Sequence, residues 1–158
     1  MNFDALIASD LVRARETAAA IAAARPLTVE LDPRLRETDF GAWEGLTWAQ
    51  IVQADPALET TVWHDPRGRL PHGGESFAQV QSRAAAFLES VRARPQASVC
   101  AVSHAGFIHA ALAVLFGDRS PAAGVRLQPA CVNHLRFKNG EASVVTLNDV
   151  SHLAALRD

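Results

Sequence analysis

The pattern of apolar and polar positions predicts strands that alternate with helices along most of the chain. A short apolar strand is predicted at 5–8, followed by a helix in which apolar residues recur at helical spacing. Ser9 or Asp10 is predicted to cap the start of this helix. Further strands are predicted at 27–31 and 98–103. The second of these is almost continuously apolar, which is typical of a buried parallel strand.

The other predicted elements are helices at 46–54, 75–94 and 107–116 and strands at 132–137 and 142–147. Asn139-Gly140, between the last two strands, is a strong signal for a two-residue hairpin turn. Strands that alternate with helices and end in a hairpin indicate an α/β fold with a mixed sheet. No internal repeat or linker divides the sequence, so we expect a single domain over 1–158.

The composition is that of an ordinary globular protein, with 49% apolar and 20% charged residues in a chain of 158, which is long enough for one sizeable core. The net charge of −2 gives no reason to expect nucleic acid or a membrane as partner. No apolar run approaches the roughly 18 residues that a membrane span needs. With no signal peptide and only two cysteines, we expect a cytoplasmic protein.

Two predicted strand-to-helix junctions carry side chains suited to phosphate chemistry, at the edge of the sheet where α/β proteins bind ligands. Arg13 lies in a first helical turn, where free N–H groups favour an anion and a guanidinium can donate twice to a phosphoryl group. His104 follows the strand at 98–103 and can donate to a phosphate or transfer a proton. Plainer interpretations stay open. Arg13 and Arg15 could pair with Asp10 or Glu16, and His104 could cap its helix.

The loop at 35–45 combines carboxylates and aromatic residues between glycines, which is more typical of a functional loop than of a solvated connection. Glu37 could protonate a leaving alkoxide, but Asp39 and Glu44 compete with it and spacing alone does not choose among them. Further along, Glu75-Ser76 precedes the longest predicted helix. These two residues could contact a substrate, and capping of the helix is a sufficient alternative explanation.

Taken in order, four segments resemble the histidine phosphatase superfamily, which includes phosphoglycerate mutases, fructose-2,6-bisphosphatases and α-ribazole phosphatases. They are Ser9-Asp10-Leu11-Val12-Arg13-Ala14-Arg15-Glu16-Thr17-Ala18, Leu35-Arg36-Glu37 with Gly41-Ala42-Trp43-Glu44-Gly45, Gly73-Gly74-Glu75-Ser76, and Val102-Ser103-His104-Ala105-Gly106. Each motif alone is weak, whereas four in the right order and spacing are strong. The Trp43-Glu44-Gly45 loop is most similar to α-ribazole phosphatases and broad-specificity relatives. The resemblance implies a three-layer α/β/α sandwich with a mostly parallel mixed sheet.

The resemblance also implies an activity, the hydrolysis of a phosphomonoester through a phosphohistidine, with no metal and no cofactor. Arg13 and His104 would bind the phosphoryl group, and Glu37 would be the proton donor, so that Glu37 and His104 are the candidate catalytic residues. The candidate substrate contacts are Trp43, Glu75, Ser76 and His109. The expected partner is a small phosphorylated metabolite.

One departure from the family is large. Its opening Arg-His-Gly segment, whose histidine attacks phosphorus, occurs nowhere in the chain. We therefore expect a first strand and helix, on the order of 30 residues, to be missing and the chain to have little or no phosphatase activity. In the family this strand lies inside the sheet, so we expect exposed edges and a homo-oligomer. The alternatives are a non-catalytic phosphate-binding pseudoenzyme and a mutase, which the compact stretch from Glu37 to Glu75 disfavours.

Overall fold

A computed structural model describes residues 2–54, 56 and 73–156. Its strands and α-helices, in chain order, are β1 (Ala5–Ala8), α1 (Val12–Ala23), β2 (Val29–Leu31), α2 (Trp48–Ala54), α3 (Phe77–Arg92), β3 (Val99–Val102), α4 (Ala105–Phe116), β4 (Val132–Lys138) and β5 (Glu141–Asp149). The predicted α/β class is confirmed, and the boundaries differ from the predictions by two residues at most. The chain divides into two compact units, 1–110 and 111–158, and the predicted organisation as one domain stays a prediction.

The first unit is built on a parallel sheet in the order β2-β1-β3. The middle strand, β1, is buried along its whole length, and Leu6 is completely inaccessible. Leu6 pairs with Val29 of β2 on one side and with Cys100 of β3 on the other. Because both neighbours run parallel to β1, the carboxyl ends of all three strands meet at one edge of this sheet.

The long helix α3 begins where the sequence provides a strong cap. The Ser76 hydroxyl accepts the Gln79 N–H, and the Gln79 side chain accepts the Ser76 N–H at 2.8 Å, so that the two residues form a capping box. Val80, Ala84 and Phe87 recur at helical spacing on the buried face of α3. These residues form an apolar stripe along α3 that packs into the core.

The predicted cap of α1 is wrong. The helix begins after Leu11, which has an extended backbone and makes no side-chain cap, and not after Ser9 or Asp10. Ser9 is completely buried and binds His104. The Asp10 carboxylate accepts two hydrogen bonds from the guanidinium of Arg36. Both side chains are therefore committed to tertiary contacts and do not cap the helix.

The second unit contains the predicted hairpin, in which β4 and β5 pair antiparallel. Asn139 and Gly140 connect the strands with φ values of 53° and 84°, the left-handed conformations that a type I′ turn needs. The hairpin prediction is confirmed. In the described part of the chain, no helix has the length and apolar character needed to cross a membrane.

Candidate active site

The site is formed where β1 and β3 end side by side. The Ser9 N–H donates to the carbonyl of Val102 at 2.9 Å, which continues the ladder one residue past β1. Just beyond the ends of β1 and β3, the Ser9 hydroxyl lies 2.9 Å from Nε2 of His104. Both residues are buried, although each carries a polar side chain. The two junctions that the sequence singled out are therefore in direct contact.

The hydrogen bonds around His104 determine which ring nitrogen carries the proton. Nε of Arg13 donates to Nδ1 of His104 at 3.2 Å, and a guanidinium nitrogen is always a donor. Nδ1 must therefore accept, which assigns the proton to Nε2 and makes Ser9 the acceptor. The Ser9 oxygen also receives the Leu11 N–H at 3.3 Å. The imidazole is thus neutral, with both nitrogens engaged.

The charge of the site is carried by Arg13 and not by His104. Burial, and then the positive charges of Arg13 and Arg83, lower the pKa of His104 to about 4. The Arg13 side chain is exposed, and its Nη1 and Nη2 make no hydrogen bond to the described residues. These nitrogens form a fork of donors that is free to bind an oxyanion. The pairing of Arg13 with Asp10, a plainer interpretation of the sequence, does not occur, because Asp10 binds Arg36.

Glu37 reaches the same place from the loop that follows β2. Its Oε1 accepts the Thr38 N–H at 3.0 Å and the Gly106 N–H at 2.9 Å. Gly106 lies in the first turn of α4, two residues after His104. A Cβ at position 106 would overlap Oε1 of Glu37 and would lie 2.5 Å from the Thr38 hydroxyl. The close approach of Glu37 to this helix therefore depends on glycine.

The two competing acids of the loop bind backbone within the loop itself. Oδ1 of Asp39 accepts the Gly41 N–H at 2.8 Å, and Oε1 of Glu44 accepts the Phe40 N–H at 3.0 Å. Both residues line a cleft of about 580 Å³ together with Arg13 and Glu37. Of the three acids, Glu37 alone is bonded to the junction that carries His104 in the described part of the chain.

The four predicted substrate contacts lie in different environments. Trp43 is 7% exposed and packs in the interior, Ser76 caps α3, and His109 is half-buried in α4. Glu75 lines the cleft, but both of its carboxylate oxygens receive donors from Arg83. Contact of these four residues with a substrate stays a prediction.

Sequence reasoning missed two residues of the site. The sequence predicts Ser9 as a helix cap, and its role becomes visible only in the fold, where its hydroxyl binds His104. Arg83 was not singled out at all, although it follows Val80 of the buried stripe by three positions, the spacing of neighbours on one helix face. A charged residue so close to an apolar stripe is a signal that could have found it.

Comparison with known proteins gives the same family that the sequence motifs resemble. Residues 1–150 match the histidine phosphatase superfamily (branch 1). The glucosyl-3-phosphoglycerate phosphatase of Mycobacterium tuberculosis (strain ATCC 25618 / H37Rv) is 37% identical over 119 residues, which cover 70% of this chain and 53% of that protein. The metal-independent phosphoserine phosphatase of Arabidopsis thaliana is 30% identical and covers 96% of this chain and 64% of its own length.

Solved structures also resemble the fold of this chain. That of a mycobacterial glucosyl-3-phosphoglycerate phosphatase in complex with inorganic phosphate has a TM-score of 0.80 at 29% identity, covering 92% of this chain and 76% of the other. The chain spans about half the length of the mycobacterial phosphatases that it matches.

Proposed function

Because this chain belongs to the histidine phosphatase superfamily (branch 1), we propose that Arg13, Glu37 and His104 bind and process the phosphoryl group of a small phosphate ester. One observation carries the proposal. Three separate segments bring a guanidinium fork, a carboxylate and a neutral imidazole to the carboxyl edge of the parallel sheet, where Arg13 binds the His104 ring and Glu37 binds the backbone of Gly106, two residues further on. Relatives in this superfamily are phosphatases, and one solved relative binds inorganic phosphate.

The residues present fit defined parts of the two-step reaction that the resemblance implies. A histidine attacks phosphorus, and the P–O bond to the leaving group breaks as Glu37 protonates the departing oxygen. Water, deprotonated by the same carboxylate, then cleaves the phosphohistidine. Arg13 would stabilise the negative charge on the equatorial oxygens. Oε1 of Glu37 is occupied by two N–H donors, so we assign the transferred proton to Oε2.

The attacking histidine of this scheme belongs to an Arg-His-Gly segment, which does not occur in the 158 residues. Removal of the nucleophile from a covalent mechanism abolishes most of the rate. His104 is a poor substitute, because its Nδ1 lone pair faces Arg13 and its Nε2 proton faces Ser9. We therefore propose that this chain binds an oxyanion and hydrolyses phosphomonoesters little or not at all.

Oxyanion binding is tested by isothermal titration of the purified chain with inorganic phosphate and with orthovanadate. Arg13→Gln removes the free guanidinium, and we expect it to weaken binding by roughly tenfold or more, the effect of one charge-assisted pair. Arg15→Gln is the matched control, since Arg15 is an exposed arginine one half-turn along the same helix. Equal binding by the chain and by Arg13→Gln would show that the anion lies elsewhere.

Catalysis is tested with p-nitrophenyl phosphate. We expect no turnover above that of the His104→Ala variant. Robust hydrolysis by the unaltered chain that disappears in His104→Ala would overturn the proposed inactivity. The result would leave the anion-binding proposal intact, because binding is measured separately.

We also propose that the chain associates with a second copy through the free edge of β3. The carbonyls of Ser98 and Val102 bond to β1, so the alternation of a parallel ladder directs the polar groups of Val99 and Ala101 to the other side. No strand among the described residues pairs with that side. Unpaired edges of this kind template pairing between chains. Sedimentation analysis is expected to show a dimer or larger species that Ala101→Pro reduces, and a monomer at all concentrations would contradict the proposal.

A further inference from the structure

Arg83 is a charged residue in the second turn of α3, yet its side chain is only 16% exposed. A guanidinium so far from water is costly unless its donors are satisfied. Glu75 satisfies two of these donors: it accepts a hydrogen bond from Nε of Arg83 at 2.8 Å and one from Nη2 at 2.9 Å. The guanidinium also lies 5.6 Å from the centre of the Phe107 ring, within range of a favourable cation–π contact. The remaining donors point at the loop that carries Glu37.

Those donors bind backbone carbonyls on both sides of the Glu37 side chain. Nη1 donates to the carbonyls of Arg34 at 2.7 Å and Arg36 at 2.6 Å, and Nη2 donates to the carbonyl of Glu37 at 3.1 Å. The carbonyls of residues 36 and 37 belong to the peptide groups that flank the Glu37 Cα. Fixing both groups fixes the direction in which the Glu37 side chain leaves the backbone.

Glu75 extends the same restraint beyond Glu37. Its Oε2 accepts the Asp39 N–H at 3.0 Å, and its own N–H donates to the Asp39 carbonyl at 2.8 Å. Burial raises the pKa of Glu75, but the hydrogen bonds from Arg83 and from the Asp39 N–H, with the charge of Arg83, outweigh it and hold the pKa below its ordinary value. Glu75 therefore stays ionised and keeps its pairing with Arg83 at neutral pH.

We propose that Arg83 is the positioning residue for Glu37, acting through the backbone and not by contact with a substrate. The inference rests on the proposed function of Glu37 as the proton donor. Lysine cannot replace the arginine, because an ammonium is a point charge whereas these acceptors need donors spread over a planar fork. Arg83 lines the same cleft as Arg13, but its donors are bonded to Glu75 and to the loop carbonyls, whereas Nη1 and Nη2 of Arg13 make no hydrogen bond to the described residues.

The test uses the Thr38 and Gly106 amides, whose protons both bond to Oε1 of Glu37. In the ¹⁵N–¹H spectrum of the full chain, these bonds place both amide protons downfield. Arg83→Lys is expected to move both resonances upfield. Arg92→Lys is the matched control on the same helix, with an ion pair to Glu89 at 3.6 Å, and is expected to leave both resonances unchanged.

A purely structural role would lower the melting temperature of Arg83→Lys without moving these two amides, and a folded variant with that behaviour overturns the inference. If Arg83→Lys does not fold, Glu75→Gln decides. It weakens the Arg83 pairing and the Asp39 contact, so it is expected to shift the same amides in the same direction, and unchanged resonances reject the proposal. The readout needs no hydrolysis, so an inactive chain, or failure of anion binding, leaves this test independent.

Discussion

His104 is expected to make the stability of the protein depend on pH between 7 and 5. Its pKa of about 4 in the folded protein lies below the value of about 6.5 for an unfolded chain. The unfolded state therefore binds the proton more tightly, and acid favours unfolding. The contribution of His104 is complete above about pH 6.5 and is lost as the pH falls toward about 4.

The size of the effect follows from these two pKa values. A difference of about 2.5 units corresponds to roughly 3 kcal/mol when both states are fully titrated. At pH 5 the unfolded imidazole is protonated and the folded one is still mostly neutral, which makes the free energy of unfolding about 2 kcal/mol smaller than at pH 7. Carboxyl groups with a lowered pKa, such as Asp32 and Glu75, lose their contributions only below about pH 4.5 and act in a separate range.

Urea unfolding at half-unit pH steps measures the effect, with His104→Gln as the reference. Glutamine can donate to Ser9 but does not titrate, so subtraction of the two curves removes the contributions of the other histidines. The free-energy difference between the chain and the variant is expected to shrink by about 2 kcal/mol from pH 7 to pH 5. Parallel curves over this range would refute a buried neutral imidazole at position 104.

Three substitutions give further tests, the first by the ¹⁵N–¹H spectrum and the other two by urea unfolding. Gly106→Ala places a Cβ against Glu37, so it is expected to abolish the downfield shift of the Thr38 amide, which an unchanged spectrum would contradict. Ser76→Ala removes the capping box of α3 and should cost about 1 kcal/mol, whereas Ser82→Ala, at an exposed position of the same helix outside the cap, is expected to cost much less. Leu6→Ala opens a cavity in the middle strand, where Leu6 is completely buried, and should cost about 2–5 kcal/mol. A cost under 1 kcal/mol would show that the core collapses around it.

The elements that depend on local sequence were predictable. Four consecutive apolar residues, Ala5–Ala8, form β1 with the predicted boundaries. Asn139-Gly140 forms the turn that its backbone preferences favour. Ser76 is followed three residues later by Gln79, a pattern that encodes a capping box within a single turn. In each case the energy that selects the structure comes from residues within a few positions of one another.

The start of α1 was not predictable, because a distant partner competes for the capping side chain. Ser9 has the residue type and the position of a cap. Its hydroxyl instead binds an imidazole 95 residues away in the sequence. A buried imidazole N–H without an acceptor would cost more than an exposed helix N-terminus that water can solvate. The hydrogen bond to His104 is therefore favoured over capping, and the helix begins without a side-chain cap.

The choice among the three acids of the loop also depends on a partner that is distant in the sequence. Spacing placed Glu37, Asp39 and Glu44 in one segment and left their roles open. The choice depends on a backbone N–H at Gly106, 69 residues from Glu37, and on glycine at that position to let the carboxylate approach. A glycine and a helix N-terminus carry no signal for an acid partner when they stand alone in a sequence. Such a partner becomes visible only when the sheet brings the two segments together, and the tests at Gly106 and Arg83 address that contact directly.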